Sequence, residues 1–249
     1  MSESHYFKFT NAVVIAPLLA VITIWAVYWT ELRFQVNLND YGIYPQTWVG
    51  LRGIIFSPFI HGSVEHLYNN TIPLAVLTSA LFYFYRNIAF RVLLIGTLLA
   101  GLFTWAVGRP SNHIGASGII YLLASFIFFK GIFTKHYRLV ALSLIVVFIY
   151  GSMLWYIFPV EDGISWEGHL GGFVIGLALA FFMKSELPPP KKYDWEHEDY
   201  DEEADEFLRQ FDEDGNFVGS SAEPEGAEKA VDDEPVKITY HIKRESKGN

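Results

Sequence analysis

Apolar residues along this chain fall into six long runs, separated by short polar connections and followed by a tail with no such runs. Asn11–Thr30 carries no charged residue and is long enough to cross a hydrocarbon core of about 30 Å as a helix. A second run spans His66–Tyr85, a third Val92–Val107, a fourth Ile119–Phe129, a fifth Leu139–Phe158 and a sixth His169–Met183. The pattern predicts an all-α membrane protein with six transmembrane helices. Glu31 to Glu65 breaks the rhythm, with Trp48, Phe56 and Phe59 set among glycine and proline, a composition suited to lying in the membrane interface.

The connections set an orientation. Lys8, Arg86, Arg91, Lys130, Lys135, Arg138, Lys184, Lys191 and Lys192 fall on the side of the two termini, against Arg33, Arg52 and Arg109 opposite. That excess predicts both termini in the cytoplasm of a multi-pass protein, in a bacterial inner membrane. Charge also divides the chain. Residues 1–185 carry ten basic and seven acidic side chains, a net of +3, whereas 186–249 carry eight and twenty, a net of −12. We expect a membrane domain over 1–185 and an acidic, mostly disordered cytoplasmic tail over 186–249. Pro188-Pro189-Pro190-Lys191-Lys192 would join them as a stiff spacer. Within the tail, Glu203–Phe211 offers one short helix and Val236–Ile242 one short strand. The tail is a place for an unknown cytosolic partner, and nothing in the chain calls for nucleic acid. The chain has no cysteine, which removes disulfide and thiolate chemistry.

Spans four and six stand apart. Each is short, and each opens on glycines and one polar residue at its outer end: Gly115-Ala116-Ser117-Gly118, and Gly168-His169-Leu170-Gly171-Gly172. Polar groups at membrane depth survive where protein or a water-filled cavity surrounds them, so these helices belong in the interior. Gly172 and Gly176 add a close-packing face on span six. On span two, His66 and Asn70 lie four apart and share a face. Ser117 sits in a first helical turn, where unpaired N–H groups favour a developing negative charge. An attacking serine needs a base and oxyanion donors; His169 is the candidate base, with the Ser117 amide, His66 and Asn70 as donors. Tyr121, one turn after Ser117, is positioned to pack on His169.

Taken singly, each residue has a plainer reading. Small residues such as serine pack helices in membranes, His66 with Asn70 can bond helices together, and tryptophans such as Trp155 form interfacial belts. His61, His113, His136, His197 and His241 read as loop residues without a role. A zinc site is rejected: His61 and His66 are five apart, about 140° around a helix, where zinc-protease helices use a spacing of four. What favours chemistry is that His66, Asn70, Ser117 and His169 sit at the outer ends of three different spans, at one depth.

These motifs resemble the rhomboid intramembrane serine proteases. Gly115-Ala116-Ser117-Gly118 is similar to the family's GxSG, and His66-Leu67-Tyr68-Asn69-Asn70 to its HxxxN on the second span. His169 with Gly172 and Gly176 is similar to its sixth-span histidine and GxxxG, and Tyr121 to its tyrosine after the nucleophile. His61 fits the first-loop pattern, while Trp48 and Leu51-Arg52-Gly53 do not align with the family's Trp-Arg pair. The resemblance covers about residues 10–183. It implies a six-helix rhomboid-like bundle open to the outer face, a Ser117–His169 dyad, and an oxyanion site from His66, Asn70 and the Ser117 amide. The implied substrates are single-span membrane proteins cut near the outer end of their helix, with the lipid bilayer as the medium and no cofactor. No acid is obviously placed to orient His169, and a dyad without a third carboxylate agrees with the family pattern; Glu167 is the one nearby alternative, and packing by Tyr121 is expected to hold the imidazole. The alternatives are a catalytically inactive rhomboid-like protein that binds membrane helices and, less well supported, a solute or ion pathway. The second lacks the interior charges such routes commonly use.

Overall fold

The structure is a computed structural model describing residues 9–135, 137–149, 155–185 and 193–218. Its α-helices are α1 (Asn11–Phe34), the single turn α2 (Gly53–Phe56), α3 (Val64–Phe84), α4 (Ala89–Val107), α5 (Ser117–Phe133), α6 (Tyr137–Ile149) and α7 (Trp166–Phe182). Six of these correspond to the six apolar runs. Two of them, α1 and α4, are long and apolar enough to cross a membrane; α5, α7 and the stretch Leu139–Phe148 of α6 are shorter apolar helices. The chain divides into two compact units, Met1–Pro190 and Lys191–Asn249.

Within the first unit, α5 is apolar all round, as a helix buried on every side must be. Leu122, Leu123, Phe126 and Ile127 are fully enclosed. Its partner is α7, and their backbones touch. A methyl group added to Gly172 would lie 2.2 Å from the Gly118 carbonyl oxygen, and one on Gly176 2.4 Å from that of Leu122. Between those contacts the Ser125 hydroxyl donates to the Phe173 carbonyl at 2.7 Å. On the far side α7 meets α4, where Gly171 leaves room for Phe103 and the Ala100 carbonyl. By contrast α1 buries only Val13, Pro17 and Ile24. Val14, Ile15, Leu18, Leu19 and Ile22 are exposed on it, an apolar surface that only hydrocarbon solvates without cost.

Several boundaries differ from the sequence reading. Ser63 caps α3 by accepting the His66 N–H at 3.1 Å, which starts that helix two residues early. α5 runs past Phe129, so Lys130 is not a loop cation. It is buried and donates to the carbonyls of Ala180 (3.1 Å) and Met183 at the end of α7. A cation there meets the negative end of the helix dipole and its unpaired carbonyls. The predicted fifth helix does not continue to Phe158. Trp155–Ile157 is a 3-10 turn, and Phe158 precedes Pro159, which disfavours the α conformation; residues 150–154 lie outside the described residues.

The segment between α1 and α3 folds as 3-10 turns at Asn39–Tyr41, Val49–Arg52 and Ser57–Phe59 around α2. Trp48, Val49, Ile55 and Phe56 are exposed on it. His61 and His113, read from sequence as loop residues without a role, are both buried. His61 Nδ1 donates to the Phe59 carbonyl at 3.3 Å, so its bare Nε2 accepts the Ala116 N–H at 3.5 Å. His113 pairs main chain to main chain with Ile43, at 2.9 Å in both directions. Two loops far apart in sequence are thereby fastened together just ahead of α5.

Residues 193–218 of the second unit hold local structure. The helix expected over Glu203–Phe211 is instead a series of turns ending in a 3-10 turn at Leu208–Gln210. Asp205 Oδ1 accepts the N–H groups of Phe207 and Leu208, a side-chain bond that competes with the helix. Asp212 likewise binds the N–H groups of Asp214 and Asn216, closing a hairpin that pairs Phe211 with Phe217. The spacer at 188–192 and the strand expected over Val236–Ile242 lie outside the described residues, as does most of the tail expected to be disordered.

Two outcomes follow for stability. Gly172→Ala sets a methyl against backbone that cannot rotate away, and should cost about 1–3 kcal/mol or more in a denaturant titration of the reconstituted protein. His61 is held near pKa 4, lowered from 6.5 by burial and then by the neighbouring His66. Between those values the unfolded chain binds a proton that the folded protein refuses, so this contribution is intact above pH 6.5 and is lost as pH falls toward 4. His61→Gln should make the acid-side decline of the melting temperature shallower, by at most one proton or about 1.4 kcal/mol per pH unit.

Candidate functional site

The site is built where the first turns of α5 and α7 face each other. Ser117 is the first residue of α5 and His169 the fourth of α7. The Ser117 hydroxyl and His169 Nε2 are 2.8 Å apart. His169 Nδ1 lies 2.9 Å from the main-chain carbonyl of Tyr156. A carbonyl only accepts, so Nδ1 carries the proton, Nε2 is the bare nitrogen, and the serine hydroxyl donates to it. Tyr121 lies flat on the imidazole, with ring centroids 4.3 Å apart and planes within 11°. The ring is thus held in rotation by a hydrogen bond and in tilt by a stacked face.

Glu167, the one acid that could have oriented His169 by sequence, does not contact it. Its Oε1 accepts the main-chain N–H of Arg109 at 3.0 Å. The orienting acceptor is instead the carbonyl of Tyr156, which every residue type possesses and no sequence pattern marks.

His66 and Asn70 approach from α3. A Cβ on Gly115 would lie 2.6 Å from His66 Cε1 and 3.6 Å from Asn70 Nδ2, so both side chains press against the backbone two residues before Ser117. Gly115 has φ +108°, a conformation that glycine adopts freely and residues with a Cβ rarely do. Its N–H donates to the Ser57 carbonyl at 2.8 Å. Asn70 is buried, and its Nδ2 is a donor without a hydrogen-bond partner among the described residues. An unmade bond of that kind is costly and calls for a functional explanation. Gly118 faces the Gly168 carbonyl, where an added Cβ would sit at 3.4 Å. Ser117 also borders a cavity of about 50 Å³ whose wall includes Thr104, His113, Ser165 and Gly168.

The loop ahead of α5 carries the residues that the sequence left without roles. His113 Nε2 donates to the Arg109 carbonyl at 3.0 Å, and its Nδ1 lies 2.6 Å from the Ser165 hydroxyl. Burial holds its pKa below 6.5, against the opposing pull of the Arg109 carbonyl and of Glu167. Arg52 donates to the Asp40 carbonyl at 2.9 Å and stacks over Tyr41, and Trp48 beside it is exposed. Among the described residues no group of three or more histidine or acidic side chains is arranged to hold a metal ion.

The sequence has counterparts in known proteins. The chain matches the family model described as "Rhomboid domain" over residues 46–186. It is 35% identical over 170 residues to uncharacterized protein Rv1337 of Mycobacterium tuberculosis (strain ATCC 25618 / H37Rv), covering 64% of this chain and 71% of that one. Uncharacterized protein ML1171 of Mycobacterium leprae is 31% identical over 180 residues, or 67% of this chain and 71% of its own. The residues matched by the family model contain α3 to α7 and include His66, Asn70, Ser117, Tyr121 and His169. With more than half of its length inside that model, this helical bundle is an integral membrane protein and belongs to the rhomboid family.

Proposed function

We propose that this protein is an intramembrane serine endopeptidase using Ser117 as nucleophile and His169 as general base. The observation that carries this reading is the 2.8 Å hydrogen bond from Ser117 to a histidine whose other nitrogen is already committed to a carbonyl. The serine proton passes to His169 Nε2 as Oγ attacks the carbonyl carbon of the scissile peptide. His169, now charged and steadied by the Tyr156 carbonyl, then gives that proton to the leaving amine. Water enters by the same proton route and releases the acyl group from Ser117. The oxyanion formed at each attack is met by the Ser117 N–H, by Asn70 Nδ2 and by His66. The first of these lies at the positive end of α5, and the second is a buried donor with its bond still to make.

The substrates fitting such a site are single-span membrane proteins cut near the outer end of their helix. A helix has no free carbonyl to offer, so the segment must unwind first, and small or helix-breaking residues lower that cost. With buried Lys130 left out, eight basic residues lie toward the termini against three opposite, which supports cytoplasmic termini in a bacterial plasma membrane. The acidic C-terminal segment is then cytoplasmic, and any cytosolic partner would meet it there.

In lipid with a single-span test substrate, Ser117→Ala should abolish cleavage, and a fluorophosphonate probe should label Ser117 only while His169 is present. Cleavage at full rate by Ser117→Ala would refute the assignment. Absent labelling and cleavage in the wild type would favour a non-enzymatic binder of membrane helices. His66→Ala and Asn70→Ala should each lower kcat by about 10²–10³-fold, the loss of about 2.7–4 kcal/mol of oxyanion stabilisation. Deleting residues 190–249 should leave the cleavage rate unchanged; its loss in a correctly inserted truncation would make that segment part of the catalytic unit.

A further inference from the structure

Glu167 is 1% exposed, in the first turn of α7 and two residues before His169. An acid in that place needs a reason, because burying one is expensive unless every oxygen is bonded. Here Oε1 accepts the Arg109 N–H at 3.0 Å, with the Arg109 guanidinium Nε at 3.8 Å, while Oε2 lies 3.9 Å from His113 Nδ1 and has no hydrogen-bond partner among the described residues. The Arg109 side chain is 38% exposed, and even fully buried ion pairs are often replaced by apolar groups without loss of stability, so the value of this pair lies elsewhere.

Its connections make a closed circuit. Arg109 Nη2 donates to the Ile164 carbonyl at 2.6 Å, just before α7 begins. The Arg109 carbonyl accepts His113 Nε2 at 3.0 Å, and His113 Nδ1 returns to the Ser165 hydroxyl at 2.6 Å. His113 is also pinned to Ile43 through its main chain, and four residues later comes Ser117. The loop leading into the nucleophile's helix and the start of the base's helix are therefore tied by four side chains, Glu167, Arg109, His113 and Ser165, through hydrogen bonds that involve neither the Ser117 nor the His169 side chain.

We propose that Glu167, acting through Arg109, is a positioning residue that sets the separation of Ser117 and His169. The inference rests on the dyad reading above. It needs no new chemistry: glycine contacts fix how closely α5 and α7 approach, and the Glu167–Arg109–His113 circuit fixes how far one slides or rotates against the other at the outer end. Misplacement of reacting groups by about 1 Å costs on the order of 10²-fold in rate, whereas Glu167 and Arg109 stand outside the wall of the cavity beside Ser117. The effect belongs to kcat and not to KM.

The test measures kcat, KM and the rate and extent of fluorophosphonate labelling for the wild type and for Glu167→Ala, Glu167→Gln and Arg109→Ala in lipid. Glu167→Ala should lower kcat and the labelling rate constant together by about 10–100-fold, with KM unchanged within about threefold. Glu167→Gln keeps an acceptor for the Arg109 N–H and should recover to within about threefold of wild type. Arg109→Ala, which keeps that N–H but loses the guanidinium, should fall between them. If Glu167→Ala only reduces the fraction of molecules labelled, at an unchanged rate constant, the role is structural and the proposal fails. It also fails if Glu167→Gln is as impaired as Glu167→Ala. Where Glu167→Ala does not fold, the Gln and Arg109 variants decide by the same rate constants. A wild type that is neither labelled nor active overturns the dyad and this role together; a labelled wild type beside an equally fast Glu167→Ala overturns this role alone.

Discussion

The contact on which everything else depends is backbone against backbone, where α7 crosses α5. Gly172 and Gly176 face the carbonyls of Gly118 and Leu122 at distances that admit no side-chain atom. In a membrane the apolar effect does not push helices together, since lipid tails are as apolar as leucine; contact and hydrogen bonding must do it. Here the glycine face supplies the contact. Ser125 and Lys130, donating from α5 to α7 and to the Met183 carbonyl just past its end, supply bonds in the middle and at one end. The other end carries Ser117 and His169. A serine and a histidine on two helices meet at hydrogen-bonding distance because their backbones are already as close as backbones can be.

Closeness alone does not make a base. An imidazole free to spin presents either nitrogen, in either tautomer. The Tyr156 carbonyl commits Nδ1 to donate, and the Tyr121 ring fixes the plane. The energetic logic follows from what the site lacks. Among the described residues no acid hydrogen-bonds His169, and its ring is oriented by a neutral dipole and a stacked face. His61 is held neutral in the same spirit, since only an unprotonated Nε2 can accept the Ala116 N–H and keep the loop before Ser117 in place.

Much of this could be read from residue order, and what could not has a common cause. The six apolar runs appear because burial in hydrocarbon acts on composition over some twenty residues, a signal no local detail erases. Ser117, His169, His66 and Asn70 were legible because polar groups are rare at that depth, and helical periodicity brought them to one end. The misreadings all involve partners distant in sequence. Lys130 looked like a loop cation until the last carbonyls of α7 were found beside it. Glu167 was only the nearby alternative to packing by Tyr121 as the orienter of His169, and it binds an amide 58 residues away. His61 and His113 seemed idle because their partners are main-chain atoms, to which sequence is blind. The role of Tyr156 lies in its carbonyl and leaves no trace in its side chain.

Gly115 couples two demands in one position. A side chain there meets two separate obstacles: a φ of +108°, and the ring of His66 in the space it would enter. Relaxing one does not relax the other. A smaller residue at 66 would make room, but the backbone would remain strained. A change in backbone conformation would relieve the strain and drive the new Cβ elsewhere, displacing the serine two residues on. The missing side chain is thus part of what places Ser117, and no change at 66 alone would substitute for it.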